Sequence, residues 1–274
     1  MLHATGDRRE RAMSLGTVPD DGEMSLCGIR TPGRQLRAAS GVPVAWVAEW
    51  AFGSAGPCWA DLGERSARSG LQPFLLSRRE GGPAGPCDIG EQVSEPEDTA
   101  VIDRMDAAAV LGGWWWAPSE DELAEDEELR AVLAPFGARF PGLAPAVEEE
   151  LDPELMRRAV FQYTRDARIG LVPAARPADV LPRIGWAGAI NHRTSSELAV
   201  VLRSWEDRFG ARLLEVGYDE IRLLVCRPPQ TLEAAESIAA EHFAFSDDAH
   251  KGLRRVSAIA RAIVNNPFWD FWWD

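Results

Sequence analysis

The stretch from Thr194 to Val225 constrains the fold of this chain more than any other part of the sequence. Thr194 and Glu197 have the spacing of a capping box, so a helix is expected to begin after Thr194. Apolar residues then recur every three or four positions, which places them on one helical face. They are Leu198, Val201, Leu202, Trp205 and Phe209. Gly210 follows and supplies the left-handed residue that commonly ends a helix.

Two short strands joined by a tight turn are predicted after this helix. Residues 213–216 and 221–225 are rich in branched apolar side chains, and a glycine-containing turn separates them. Thr231 then caps a second helix, whose inner face carries Ile238 and His242. Helix, hairpin and helix are expected to form one packing unit, in which the first helix lies on the sheet.

The amino-terminal half contains a pattern of strand, helix and strand. Its segments are Val42–Val47, Cys58–Ser69 and Leu71–Leu76. This order and spacing predict a βαβ crossover with a parallel strand pair and a right-handed connection. The chain is therefore predicted to be an α+β protein. It should have a mixed β-sheet with packed helices, an amino-terminal βαβ unit and a carboxyl-terminal helix–hairpin–helix unit.

Composition divides the chain into four segments. They are a disordered or loosely attached amino-terminal segment (1–40), an amino-terminal α/β region (41–134), a Pro/Glu-rich connection (135–152) and a carboxyl-terminal α+β domain (153–274). Whether the two folded regions form one domain or two, and whether translation starts at Met1, Met13 or Met24, stays open. The aromatic tail Phe268–Asp274 is expected to dock into the core or to complete an edge strand, because exposed aromatic clusters are unfavourable.

Three carboxyl-terminal stretches carry a family resemblance. They are SWEDRFGARLLEVGYDEIRLLV, PPQTLEAAESIAAEHFAF and FWWD. The sequence resembles the bacterial domain of unknown function 4253, most specifically in these stretches and more loosely upstream to about Gly41. That family has no established activity, so the resemblance implies a fold and a kinship only. Relatives carry a Cys-Pro-Asp-Asn type loop after EHFAF, whereas this chain has Ser246–Gly252 there, so no role of that loop is transferred.

The net charge of −14 limits the classes of partner. Nucleic-acid binding requires Lys and Arg to neutralise phosphates, so an acidic chain argues against it. The charge serves solubility first and also suits a basic protein partner. The densest acidic run, Ser119–Glu128, is interpreted as a solvated helix face rather than a cation site. No apolar run approaches the ~20 residues of a membrane helix, and the amino end lacks the apolar region of a signal peptide, so no membrane contact is expected.

The cysteines are too scattered to indicate a metal site or a disulfide framework. They are Cys27, Cys58, Cys87 and Cys226. This usage predicts a reducing cytoplasm as the compartment. The sequence also contains no motif for a nucleotide, a zinc ion or a serine nucleophile, so neither a cofactor nor a metal is expected.

Glu241, His242 and Asp247 belong to the densest cluster of ionisable side chains and are the catalytic candidates. A histidine beside carboxylates can act as a general base or join a metal site. Neighbouring helical residues diverge by about 100°, so Glu241 and His242 are not expected to aim at one point. A core histidine with one satisfied nitrogen is the favoured interpretation of His242.

Asn191, Trp186 and Arg208 are the binding candidates. Asn191 follows two glycines that could let the backbone approach a ligand, although a turn-stabilising role is favoured. Arg208 lies on the central helix and is expected to pair with a carboxylate, with anion binding as the alternative.

The favoured function is a non-enzymatic cytoplasmic interaction or accessory module that binds a basic protein partner, as an immunity protein binds its toxin. This hypothesis rests on the acidity of the chain and on the missing catalytic motifs. The alternative is a hydrolase with a pocket around Asn191, Glu241 and His242. Convergence of these three side chains in a concave pocket would favour the enzyme, and a buried His242 would favour the binding module.

Overall fold

Eight strands form one mixed sheet in the computed structural model, which describes residues 15–76, 93–164, 167–246 and 255–273. The strands are β1 (Gly22–Leu26), β2 (Ile29–Arg37), β3 (Pro43–Ala48), β4 (Leu71–Leu76), β5 (Arg168–Pro173), β6 (Ala211–Val216), β7 (Glu220–Val225) and β8 (Phe268–Trp272). Their spatial order is β1-β2-β3-β5-β4-β6-β7-β8. β4 and β6 run parallel, and the other neighbours in this order are antiparallel. The predicted mixed sheet of an α+β protein is confirmed.

Ten α-helices accompany the sheet in the described residues. They are α1 (Ala55–Glu64), α2 (Ser66–Ser69), α3 (Ala107–Trp114), α4 (Glu120–Glu125), α5 (Glu127–Leu133), α6 (Pro153–Tyr163), α7 (Val180–Ile184), α8 (Ser195–Phe209), α9 (Leu232–Phe245) and α10 (Val256–Ile263). Two 3-10 helices cover Thr99–Arg104 and Pro177–Asp179. The predicted capping box of Thr194 and Glu197 begins α8, and Gly210 ends it at a φ of 61°. The helix–hairpin–helix unit is therefore confirmed as α8, β6, β7 and α9.

Different helices cover the two faces of the sheet. On the first face, α8 and α9 help to bury a large apolar cluster that includes Trp205, Phe245 and Trp269. On the second face, α1 and α6 help to bury a smaller cluster around Trp46 and Trp59. The aromatic tail forms β8 at the sheet edge, where Trp269 is 1% exposed, so its predicted docking is confirmed.

The predicted βαβ unit needs one correction. β3 and β4 run in the same direction, but β5 lies between them and pairs antiparallel with both, so they are not a hydrogen-bonded pair. Gly170 in β5 permits this close packing, because a Cβ there would lie 2.3 Å from the Phe74 ring of β4. β5 comes much later in the chain, so a local pattern could not reveal it. The amino- and carboxyl-terminal strands thus share one sheet, and the division of the chain at 135–152 stays a prediction.

The absence of regular structure expected before residue 40 is wrong for residues 22–37. These residues form β1 and β2, an antiparallel hairpin at the sheet edge whose turn uses positive φ at Cys27 and Gly28. Most side chains of β1 are exposed, so the strand buries no regular face and leaves no alternating pattern in the sequence. Residues 1–14 lie outside the described residues.

A disulfide between Cys27 and Cys58 corrects the interpretation of the cysteines. It joins the turn of the β1–β2 hairpin to α1 across a sequence separation of 31 residues, a spacing that matches no motif. The argument for a reducing cytoplasm loses its premise, because structural disulfides are rare in that compartment. Within the described residues, no helix is long and apolar enough to cross a membrane.

Candidate functional site

Glu241 and Arg208 form a buried ion pair between α9 and α8. Arg208 donates from Nη2 to Glu241 Oε2 at 2.6 Å and from Nη1 to Oε1 at 2.7 Å. Glu241 Oε2 also accepts from Trp205 Nε1 at 2.7 Å, and Oε1 accepts from the amide of Ala144 at 2.6 Å. Each carboxylate oxygen thus receives two hydrogen bonds although the side chain is fully buried, and the expected pairing of Arg208 with a carboxylate is confirmed. An arrangement so fully satisfied stabilises the fold and leaves no oxygen for a substrate.

His242 lies beside this pair within an aromatic cluster. Its ring centre is 5.0 Å from that of Trp205, 4.4 Å from that of Trp269 and 4.9 Å from that of Phe271. Only 3% of His242 is exposed. The core interpretation of this histidine fits these contacts.

Asn191 and Trp186 do not join Glu241 and His242 in one site. Asn191 lies in an exposed turn, and no hydrogen bond connects it to either residue within the described ranges. Trp186 is buried and donates from Nε1 to the carbonyl of Gly217 at 2.9 Å, which makes it a core residue. Asp247 lies outside the described residues. A joint catalytic role for these side chains stays a prediction.

A cleft of about 120 Å³ lies instead at the β6–β8 end of the sheet. We call it the acidic cleft, because three carboxylates and one guanidinium line it. They are Glu215, Glu220, Asp270 and Arg222. Arg222 donates from Nη1 to Glu215 Oε2 at 3.0 Å and from Nε to Asp270 Oδ1 at 2.5 Å. One guanidinium therefore holds carboxylates from the two strands that flank it.

Strand register and one bulge place these side chains together. Arg222 lies opposite Glu215 on β6 and opposite Asp270 on β8. Between Leu213 and Glu215 the register of β6 shifts by one residue, which makes Leu214 an extra residue in the strand. The bulge turns Glu215 to the same face as Leu214 and Arg222, where regular alternation would have turned it away.

Burial dominates the electrostatics of the acidic cleft. It raises the pKa of Glu215 to about 7, against the opposing effect of Arg222 and with help from the negative charges of Glu220 and Asp270. Asp270 is much more open, with 59% of its side chain exposed against 14% for Glu215. The cleft thus combines one solvated carboxylate with one that is partly protonated near neutral pH. The described residues contain no cluster of histidine, cysteine and carboxylate side chains that could hold a metal ion.

The sequence interpretation missed this cleft. Its residues lie on three strands, and Asp270 stands 48 positions after Arg222, so no local motif joins them. One signal was available. Glu215 and Asp270 interrupt otherwise apolar strands, LLEV and FWDFW, and a charge inside a buried strand requires a partner.

Comparison with known proteins gives one match. Residues 168–274 match the family model described as Domain of unknown function (DUF4253), and the whole acidic cleft lies within that part. Neither a curated protein nor a solved structure matches the chain significantly. The similarity to the DUF4253 family thus covers residues 168–274, the carboxyl-terminal part of the chain.

Proposed function

We propose that this protein is a non-enzymatic interaction or accessory module whose acidic cleft receives a basic side chain of a protein partner. The observation that carries the proposal is the excess of carboxylates in the cleft. The two carboxylates of Glu215 and Asp270 share the one guanidinium of Arg222. An incoming guanidinium or ammonium group would therefore meet an unbalanced negative charge at a fixed position.

The dimensions and surroundings of the cleft support a side chain rather than a larger ligand. A volume of about 120 Å³ accommodates one charged head group. Asp270 is exposed and can reorient toward the incoming basic group, whereas Glu215 is held at the base of the cleft by Arg222. The net charge of −14 attracts a basic partner over longer range. Neutralising a basic protein, as an immunity protein does, is one role of this kind.

Titration of a basic peptide tests the proposal. Purified protein is titrated calorimetrically with hexa-arginine at low and at high salt, and the amide signals of Arg222 and Asp270 are followed by NMR. Bound cation favours ionised Glu215, so the affinity should rise from about pH 6 to about pH 8 and binding should release protons. General attraction to an acidic surface would show no such dependence around neutral pH.

A matched pair of variants locates the binding. Asp270→Asn with Glu215→Gln removes two charges from the cleft and should abolish the pH dependence and weaken binding about tenfold or more. Glu120→Gln with Glu125→Gln removes two exposed charges from α4 and should leave both unchanged. Equal loss in the two variants, or a peptide that shifts only α4 signals, would reject the acidic cleft as the binding site. Co-purification of wild type and cleft variant from native lysate would then identify the partner.

A hydrolase is the second candidate, and one observation favours it at the acidic cleft rather than around Asn191. Glu215 has a pKa of about 7, which suits a general acid or base at neutral pH. Activity against a panel of ester, amide and glycoside substrates that disappears in Glu215→Gln but persists in Glu120→Gln with Glu125→Gln would favour this function over the binding module.

A further inference from the structure

A second cleft, of about 390 Å³, opens at the other end of β6. β4 and β6 are paired only at Leu75 with Glu215 and at Leu76 with Val216, so their first halves diverge. The opening lies between these diverging halves, the end of α1 and the residues that follow β7. We call it the basic cleft, after the two arginines that line it, Arg212 and Arg227.

Arg212 is fixed in position yet has no charged partner. Its guanidinium lies 5.1 Å from the centre of the Trp59 ring. Gly63 leaves room for it, because a Cβ at that residue would lie 2.3 Å from Nη2 of Arg212. Within the described residues, no hydrogen bond or ion pair joins this guanidinium to an acceptor. In a chain with a net charge of −14, a half-buried arginine without a carboxylate partner is unexpected.

Arg227 contributes a second unsatisfied donor. Its Nη2 donates to the carbonyl of Asp207 at 3.1 Å, which satisfies the last turn of α8. Its Nε is buried and has no acceptor in the part of the chain that the structure describes. One nitrogen of Arg227 thus has a structural hydrogen bond, and its Nε lacks an acceptor among the described residues.

Gln72 contributes an unsatisfied acceptor. The residue lines the basic cleft and is only 3% exposed. Its Nε2 donates to the carbonyl of Ala175 at 3.3 Å, which fixes the orientation of the amide. Its Oε1 accepts no hydrogen bond from any described residue. Buried polar atoms of this kind are rare without a partner, and a bound ligand is one explanation for them.

We propose that the basic cleft binds a small zwitterion of the amino-acid class, with its carboxylate at Arg212 and Arg227 and its amino group toward Gln72. Arginine donates in a fork that matches a carboxylate, and the carbonyl oxygen of Gln72 accepts from an N–H donor. The carboxyl end of a short peptide has the same chemistry, since an amide N–H lies next to its carboxylate.

The other charges of the cleft favour a zwitterion over a phosphate. Glu150 and Glu206 also line it. Glu206 accepts from Arg176 and from the amide of Ala178, whereas Glu150 is exposed. Two carboxylates would repel a dianion but would attract the ammonium group of an amino acid. A lining with both signs of charge therefore matches a ligand with both signs.

Site-resolved titration tests this proposal. The full-length protein is labelled with nitrogen-15 and titrated with each of the protein amino acids and with glycylglycine, and the signals of Gly63, Gly210 and Cys226 are followed. At least one amino acid or the dipeptide should bind with a Kd near or below about 1 mM. Propionate, ethylamine and inorganic phosphate are the matched probes, and each should bind at least about tenfold more weakly than the zwitterion. Preference for free amino acids over glycylglycine, or the reverse, distinguishes the two sources of this chemistry.

Three variants separate a ligand site from a structural arginine. Arg212→Gln removes the charge and should weaken binding about tenfold or more. Gly63→Ala keeps the charge but displaces the guanidinium, and it should weaken binding while the protein remains folded. Arg30→Gln removes an exposed arginine of β2 and should have no effect. Failure of every zwitterion to bind, tighter binding of phosphate, or equal affinity in wild type and Gly63→Ala would overturn the proposal.

Discussion

The two ends of β6 each carry a charged side chain, and they differ in whether that side chain has a partner of opposite charge. At one end Glu215 is paired with Arg222, and a bulge brings it into the acidic cleft. At the other end, three residues earlier, Arg212 has no carboxylate partner among the described residues, and the divergence of β6 from β4 opens the basic cleft. Both clefts arise where the regular ladder of β6 is interrupted. Irregular backbone, rather than the strand itself, therefore creates the positions at which a ligand can approach.

The pair of Arg208 and Glu241 provides the contrast to both clefts. It uses the same residue types as Glu215 and Arg222, but each oxygen of Glu241 accepts two hydrogen bonds and its side chain is fully buried. Residue type alone thus does not distinguish a structural pair from a functional one. The number of unsatisfied atoms and the access of solvent do.

The largest effect is expected from Glu241→Gln. The substitution leaves Arg208 buried without its counter-charge, and breaking a buried pair costs about 3–5 kcal/mol of unfolding free energy. Urea unfolding of the variant and of Glu215→Gln measures the difference. If the variant does not fold, Arg208→Met with Glu241→Met removes both charges and should recover much of the stability. A smaller loss in Glu241→Gln than in Glu215→Gln would reverse the assignment of structural and functional pairs.

Removing the disulfide should affect the two clefts unequally. Cys27→Ser releases α1, and a disulfide of this separation contributes about 4 kcal/mol of unfolding free energy in the loop-entropy model. α1 carries Trp59 and Gly63, which hold Arg212, so amide signals around the basic cleft should shift. Signals of Arg222 and Asp270 should stay in place. Amide signals that shift equally at both clefts would mean that the disulfide affects the structure of both.

The pH dependence of stability isolates Glu215. Its pKa is 4.5 in the unfolded reference and about 7 in the folded protein, so the folded state retains a proton that the unfolded chain releases. The free energy of unfolding should therefore fall as the pH rises from about 4.5 to about 7 and stay level above that range. The change should be on the order of 2 kcal/mol, because solvent in the cleft screens part of the full shift.

Glu215→Gln is the reference for this measurement. The variant lacks the titrating carboxyl group. The fall in unfolding free energy with pH should therefore occur in the wild type and be absent from the variant. Identical pH profiles for the two proteins would place the pKa of Glu215 near its ordinary value, and the acidic cleft would then resemble any exposed ion pair.

The smallest change in stability is expected from Gly63→Ala. Alanine favours the helix by up to about 1 kcal/mol, and the displaced guanidinium of Arg212 loses a cation–π contact of about the same size. The melting temperature should therefore move little, while the Trp59 indole signal shifts. A large loss of stability would show that Arg212 is a structural element and would remove the distinction between the two ends of β6.

The sequence predicts those parts of the fold that local chemistry determines. The capping box at Thr194, the stop at Gly210 and the docked aromatic tail all follow from neighbouring residues. The position of β5 and the acidic cleft do not follow from neighbouring residues, because both depend on pairing between distant segments. The cleft also depends on a bulge in β6 that no residue type predicts. The burial of Glu241 and His242 could not be predicted for the same reason. It depends on Trp205 and Trp269, which come from other elements.

The insertion of β4 into the carboxyl-terminal sheet means that the family segment is not self-sufficient in this chain. Residues 168–274 supply β5 to β8, yet β4 comes from far earlier in the chain and separates β5 from β6. A fragment that began at Arg168 would expose unpaired amides and carbonyls along both β5 and β6. Such edges are templates for strands of other molecules. The excised segment would therefore be prone to exchange strands between copies or to aggregate. In the full chain, β4 from the amino-terminal half pairs with both edges and prevents this.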